Sequence, residues 1–450
     1  MKLLRYLTLL TTAGALVLGC GQDDSPGPLG YAGNEVAGGY NVGTGGGIAN
    51  TALGAGAGGS RFTGRAGTAN GGAGGTSQNT GAGGSDRDGA AGGAGTGKCT
   101  DSCPAPKGSL TVDCKKRFAY GVNFAWQNFA VDFGGKASWS MKGVAADRVT
   151  YTTSIKDMKD NGVDVIRWWM FPDFRGDGVV LDSSTKSPTG LGATVLDDIR
   201  AALDIAAEQD VHIKLTLFSF DNFKADSQNS VSTTPIATDT TKRGLLMEKV
   251  VRPVAKAVEA SPNKDRMIAW DVVNEPEWAI KKEKDPYGDP EFDGSASGMS
   301  FVSFAQMETF VKDVVTVLKA ESSAPVTVGS AAVKWAKAWS KVGLDYHDFH
   351  WYGWVDQYFP HTKTPSQYGV DDKPVVVGEF PLIPDGDKTG QAFGGIGYNK
   401  LVDDFFAAGY AGTLGWAVNA GSADNAAFGW SPSKANVKAW AEAHPCVTHY

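Results

Sequence analysis

Cysteine is scarce, with five in 450 residues, and this excludes a scaffold held together by dense disulfides. Four of them, Cys99, Cys103, Cys114 and Cys446, lie at the two ends of the stretch rich enough in apolar residues to fold. An even number there suits an oxidising compartment, and a bridge from the N-terminal group to Cys446 would clip the ends of the fold together. Three pairings are open. Cys-x3-Cys followed by a more distant third cysteine lacks the paired spacing of common structural zinc modules. Basic runs are missing from the folding part, and the net charge is −7, so nucleic acid is excluded as the expected partner and a neutral polymer is favoured. No glycine-rich phosphate loop follows the first predicted strand, which argues against a doubly wound dinucleotide fold.

Large apolar side chains are nearly absent from residues 25–98, while about half of the chain's 59 glycines fall before Cys99. Such a segment cannot bury enough surface to offset the entropy of ordering it. Residues 20–98 are therefore expected to be a disordered Gly/Ala/Ser-rich linker, without the strict Gly-X-Y period of collagen. Ahead of it, Lys2 and Arg5 precede an apolar run at 7–18 that ends at Gly19-Cys20. The run is shorter than the ~20 residues a membrane span needs. It resembles a bacterial lipoprotein signal, 1–19, with Cys20 lipidated as the mature N-terminus. Gly21 in place of an aspartate favours the outer membrane or cell surface. The folded domain is expected at 99–450, acting as a monomer.

Within it, short apolar runs alternate with amphipathic stretches, the pattern of repeated βα units. Strands are expected at 118–124, 163–169, 211–218, 267–273, 326–329, 346–351, 375–378 and 411–417. Helices are expected at 147–161, with Val149, Ile155 and Met158 inward, and at 195–209, with Leu196, Ile199, Leu203 and Ala206 inward. Further helices are expected at 242–260, 301–321, 397–408 and 434–443, the fifth unit being poorly marked. Eight units predict an α/β fold, a (β/α)8 barrel.

Two strands end in a glutamate: Trp270-Asp271-Val272-Val273-Asn274-Glu275-Pro276 and Val375-Val376-Val377-Gly378-Glu379-Phe380. The β-branched residues before each glutamate fit strands buried on both faces, and Pro276 removes a backbone donor. Strand C-termini of a barrel share one mouth, so residues from different strands converge there. The glutamates stand 104 residues apart, about three units of ~35 residues, which assigns them to strands four and seven. A carboxylic acid that protonates a leaving oxygen, facing a carboxylate that attacks or activates water, is the chemistry of glycoside cleavage. Asn274 could bond a sugar 2-hydroxyl.

On these motifs the chain resembles family 5 of the glycoside hydrolases, or a near relative with the same barrel, over about residues 119–440. The resemblance implies that Glu275 is the acid/base and Glu379 the nucleophile of a retaining enzyme, with no cofactor and no metal. It further implies that Arg167, in Val165-Ile166-Arg167-Trp168-Trp169, orients the nucleophile. His350 and Tyr352 of His350-Trp351-Tyr352 would line the catalytic subsite, and Trp416 would form a platform under the sugar. The expected substrate is a β-1,4-linked mannan or glucan, with a slight lean to mannan from the Arg-Trp-Trp-Met-Phe and His-Trp-Tyr motifs. Where the family commonly places a His or Asn, the strand-three end, Leu217 to Phe223, offers no His, and Asp221 or Asn222 is expected to substitute.

Aromatic residues crowd the predicted strand ends: Trp126, Trp168, Trp169, Phe171, Trp278, Trp351, Trp354, Trp416 and Trp430. About half are expected to line a sugar cleft, Trp169 and Trp278 foremost, because pyranose C–H faces stack on aromatic planes. Asn123, Asp173 and Arg175 are further candidate hydroxyl ligands, whereas Asp271 is expected to be structural. A noncatalytic carbohydrate-binding lipoprotein and a transglycosylase using the same residues are the rival readings.

Overall fold

The computed structural model describes residues 101–224, 233–390, 393–419 and 428–450. The leader, Cys20, Cys99 and the linker lie outside the described residues. Eight parallel strands close into a barrel in chain order: β1 Ala119–Phe124, β2 Val165–Trp169, β3 His212–Ser219, β4 Met267–Asn274, β5 Val326–Ser330, β6 His347–His350, β7 Val375–Pro381 and β8 Gly412–Val418, with β8 pairing back onto β1. Every residue of these strands is buried, because side chains alternate between the lumen and a shell of helices, which leaves no polar face. That is why most of the strands read as apolar runs, interrupted where Arg167, Lys214, Asp271 and Asp348 lie.

The expected helices form with small shifts at their ends. Ser303 and Gln306 make a reciprocal capping box, so the fourth helix starts at Phe304 instead of 301. Gly162 and Gly409, both at positive φ, stop Arg148–Asp160 and Tyr398–Ala408. Two face assignments are corrected. In Arg148–Asp160 the buried stripe is Tyr151, Ile155 and Met158, and Val149 is 78% exposed. In Val195–Glu208 the stripe begins at Val195, and Leu196 is 40% exposed. Leu196 stands one residue, a 100° rotation, from buried Val195, and Val149 stands two residues, about 200°, from buried Tyr151, which turns each side chain from the barrel to solvent. Between β5 and β6 the only helical element is the 3-10 turn Val333–Trp335, which accounts for the weak signal of the fifth unit.

The N-terminal end of the barrel is sealed by Ala119, Val165, Ile268, Tyr346, Val376 and Tyr450, against which Leu110 and Val112 of a short hairpin pack. Cys103 is bonded to Cys446, as anticipated, and Cys114 is disulfide-bonded too. Closing this end leaves the opposite mouth as the place where loops can build a site. No helix among the described residues is long and apolar enough to cross a membrane.

Candidate active site

Strand alternation decides which side chains enter the lumen. On β2 the third residue, Arg167, points inward and is fully buried. Its Nε donates to Asp271 Oδ2 (2.9 Å), Nη1 to Asn123 Oδ1 (2.9 Å) and to Glu379 Oε1 (2.6 Å), and Nη2 to Asn274 Oδ1 (2.9 Å). One guanidinium thus fixes groups from β1, β4 and β7, using the planar fork that lysine lacks. Gly329 on β5 supplies the room: a methyl group there would lie 2.9 Å from Arg167 Nη2 and 3.0 Å from Asp271 Oδ2.

Both glutamates sit on irregular backbone. Glu275 follows β4 with φ 47° and ψ 52°, in the left-handed region, although the proline after it disfavours that conformation. Its amide donates to the Gly329 carbonyl (2.6 Å), and Pro276–Ala279 forms a 3-10 turn. The second glutamate lies inside its strand, since β7 runs on through Glu379 to Pro381. There β7 carries one residue more than its neighbours: Phe349 pairs with Val377 but His350 with Glu379, and Val377 pairs with Thr413 but Phe380 with Gly415. Such bulges re-aim side chains.

The two carboxylates meet. Oxygens of Glu275 and Glu379 and a ring nitrogen of His350 lie within 4.8 Å of one another. His350 Nδ1 is 2.6 Å from Glu275 Oε1 and 3.4 Å from Glu379 Oε2. Trp278 Nε1 donates to Glu275 Oε2 (2.8 Å), and the Tyr352 hydroxyl donates to Glu379 Oε2 (2.8 Å). Among the described residues, Asn274 Nδ2 and His350 Nε2 are buried without a hydrogen-bond partner. The grouping has the spacing to hold a cation, but the Arg167 charge already sits 2.6 Å from the Glu379 carboxylate, so a metal ion would be repelled.

Electrostatics separate the pair. Burial raises both carboxyls; the Glu379 charge then lifts Glu275 further, well above its ordinary value, while Arg167 and Tyr352 oppose the rise at Glu379. Glu275 therefore keeps the proton and Glu379 the charge. Burial, with Arg167 and Lys214 nearby, pushes His350 well below its ordinary value, so its imidazole is neutral.

The aromatic expectations divide. Trp169 points inward like Arg167, which lies 5.5 Å above its ring, and it packs on Trp416 (5.5 Å) and Trp126 (5.6 Å). Trp278 packs on Trp354 (5.6 Å) on the Glu275 side. Trp168 and Trp351, the alternate neighbours of Arg167 and His350, face the helices: Trp168 bonds Asp132 and stacks on Tyr151, and Trp351 packs on Phe405 and Tyr410. Trp430 starts a helix and bonds Asp157, away from the mouth. Phe171 is buried beside Gly178.

Asn123 is not available to a hydroxyl: beyond accepting from Arg167, its Nδ2 donates to the Gly378 and Leu414 carbonyls. Asp173 and Arg175 pair with each other. Asp221 and Asn222 are used locally, Asp221 by Ser219 and Lys224, Asn222 by the Ser219 amide and the Phe171 carbonyl. Asp271 is structural as expected, accepting from Arg167, Thr216 and the Gly329 amide. Glu277 escaped the sequence reading. It is fully buried and accepts from Ser330 (2.6 Å), Ala331 N (3.0 Å) and Trp339 Nε1 (2.6 Å), so it ties the Glu275 turn to the end of β5. Its only signal was a second acidic residue two places after Glu275.

No family model matches the chain. A mannan endo-1,4-β-mannosidase of Cryptopygus antarcticus is 25% identical over 341 residues, covering 68% of this chain and 82% of that protein. One of Mytilus edulis is 25% identical over 336 residues, covering 66% and 83%. Among solved structures, the β-1,4-D-mannanase from Cryptopygus antarcticus has a TM-score of 0.61 at 23% identity, covering 74% of this chain and 93% of that one. The β-mannanase from Mytilus edulis has a TM-score of 0.60 at 20% identity, covering 77% and 99%. At these identities the structural likeness establishes the shared (β/α)8 barrel.

Proposed function

We propose that the protein is a retaining glycoside hydrolase that cleaves β-1,4-mannan by double displacement. The observation that carries this reading is two buried carboxylates within 4.8 Å, both raised by burial, with Glu275 lifted further by its neighbour's charge while Arg167 and Tyr352 oppose the rise at Glu379. A gap of ~5–5.5 Å between carboxyl groups leaves no room for an attacking water and belongs to retention. Glu379 attacks the anomeric carbon while Glu275 gives its proton to the leaving oxygen; Glu275 then takes a proton from the water that releases the sugar. Asn274 Nδ2, its amide oriented by Arg167, is free to donate to the 2-hydroxyl. Trp169, packed on Trp416, and Trp278, which donates to Glu275 and packs on Trp354, are the aromatic planes near the carboxylates on which a sugar would stack. Mannan is preferred to glucan because the two matched relatives are mannan endo-1,4-β-mannosidases.

Activity should follow a bell in pH, lost on the acid side as Glu379 is protonated and on the basic side as Glu275 gives up its proton. Glu275→Gln is expected to lower kcat on mannan by about 10²-fold or more and to remove the basic limb. Aryl β-mannosides with nitrophenolate leaving groups need little protonation, so glycosylation should be nearly spared and azide should restore turnover. Unchanged mannan turnover, or a preference for β-glucan across a substrate panel, would defeat this assignment.

The leader ending at Gly19-Cys20 supports anchoring of the enzyme to a bacterial surface through lipidated Cys20. Cys20→Ser is expected to move activity from the membrane fraction to the medium in the expressing cells; activity that stays with membranes would refute the anchor.

A further inference from the structure

Deeper in the lumen lies an ion pair that the reaction above does not use. Lys214 on β3 and Asp348 on β6 are in direct contact across the barrel, with 1% and 0% of their side chains exposed. Barrel lumens are normally filled by branched apolar side chains, and a buried ion pair is often no more stable than apolar residues of the same volume. Stability alone does not explain the pair.

Two observations tie it to Glu379. The first is steric: a methyl group at Gly378 would overlap both oxygens of the Asp348 carboxylate. Gly378 is the residue at which β7 bulges, and from the other side its carbonyl accepts from Asn123 Nδ2 (2.9 Å). The peptide that carries Glu379 is therefore held between Asn123 and Asp348, and Lys214 holds Asp348.

The second is charge. Glu379 is faced by Arg167 from β2, Asp271 and Glu275 from β4, His350 and Tyr352 from β6 and the segment after it, and the Lys214–Asp348 pair; Asp387 acts on Tyr352. Lys214 is faced in turn by Asp348, Asp271, Glu379, Arg167 and the Tyr346 ring. With Glu275 protonated, two cations stand against the three carboxylates of Asp271, Asp348 and Glu379. Without Lys214, Arg167 would stand alone.

We propose that Lys214 and Asp348 form a positioning pair for the nucleophile: Asp348 backs the Gly378 peptide so that the bulge presents Glu379 to the sugar, and Lys214 supplies the second cation that keeps Glu379 ionised. This rests on Glu379 being the nucleophile. Burial pulls the Lys214 ammonium down to about 7, against the pull of Asp271 and Glu379. Contact with the Asp348 carboxylate favours its charged form.

The test uses the full chain with Lys214→Met, which keeps the length of the side chain and removes its charge. Glu379 is titrated by carboxyl ¹³C NMR, with Glu379→Gln assigning the signal, and kcat and KM are measured on mannan across pH. The expected result is a Glu379 pKa raised by about one unit, an acid limb displaced upward to match, and kcat down about tenfold with KM within about threefold. If Lys214→Met does not fold, Lys214→Met/Asp348→Asn removes both charges at constant shape, a change buried pairs often tolerate. It is expected to lose kcat about tenfold with KM kept, because no ion pair then fixes the side chain that backs Gly378. A folded variant with parental kcat and parental Glu379 titration overturns the proposal. A parent that does not cleave mannan, while its Glu379 titration still responds to Lys214, would overturn the substrate reading and leave the pair's role standing.

Discussion

Glu379→Gln is expected to lower kcat on mannan by about 10⁵-fold, as removal of a nucleophile does elsewhere, and to leave the fold intact. Glutamine keeps its oxygen as the acceptor for Arg167 Nη1, which lies 2.6 Å from one carboxylate oxygen, and its NH2 can donate to the Tyr352 hydroxyl, which lies 2.8 Å from the other. What it loses is the charge that attacks carbon. The effect should appear equally with aryl mannosides, because no leaving group, however good, replaces the missing bond to carbon. Incubated with an activated 2-fluoro-mannoside, the parent should gain the mass of one sugar at Glu379 and the variant none. Turnover in the variant within tenfold of the parent, or an adduct on another residue, would refute the double-displacement assignment. A second consequence follows from electrostatics. The Glu379 charge is the largest influence after burial that raises Glu275. In Glu379→Gln the Glu275 pKa should therefore fall, which a titration of its carboxyl signal can read.

Arg167→Met should damage both activity and folding. The guanidinium serves Asp271, Asn123, Asn274 and Glu379 at once, and all five residues are buried. Removing it strands two carboxylates in the lumen, which costs about 3–5 kcal/mol for a buried pair broken on one side. The nucleophile also loses its anchor and its counter-charge. Misplacement costs about 10²-fold and a smaller ionised fraction about tenfold more, so kcat/KM should fall by about 10³-fold.

The pH dependence carries a definite sign. Burial pushes the Asp271 carboxyl up, but Arg167 and Lys214 outweigh it and hold the group below its ordinary value. A carboxyl depressed in the folded state contributes stability above its unfolded pKa of ~3.9, and this is lost as pH falls through the folded value. The variant lacks that contribution and carries stranded charges that protonation relieves. The difference in urea midpoint between parent and Arg167→Met should therefore be largest near neutral pH and shrink below about pH 4. A difference that stays constant with pH would show that Arg167 acts by packing and not by charge.

The strands were readable because a strand buried on both faces is mostly apolar, and such runs are short and bounded. The two glutamates were readable because each ends or interrupts such a run with a charge that has no place in a core. Helix boundaries were close, yet Val149 and Leu196 show that a helical pattern read one or two residues out of step assigns the wrong side chain to the core. Trp168, Trp351 and Trp430 belong to the aromatic residues expected not to line the cleft, and strand alternation and helix packing, not residue type, decide which they are. Asn123 and the Asp173–Arg175 pair were read as open ligands because sequence does not display the partners that occupy them.

The chain alone thus determined eight alternating units, their order, and the two acidic strand ends, since those depend on local periodicity and on burial that every residue of a strand shares. Tertiary structure decided the rest: the bulge that aims Glu379, the left-handed turn at Glu275, the Arg167 hub, and the contact of Lys214 with Asp348 across 134 positions. These arise only when the sheet closes on itself. Closure sets which inward side chains from non-adjacent strands meet, buried, in the lumen, and charge at that spacing fixes which carboxyl holds a proton.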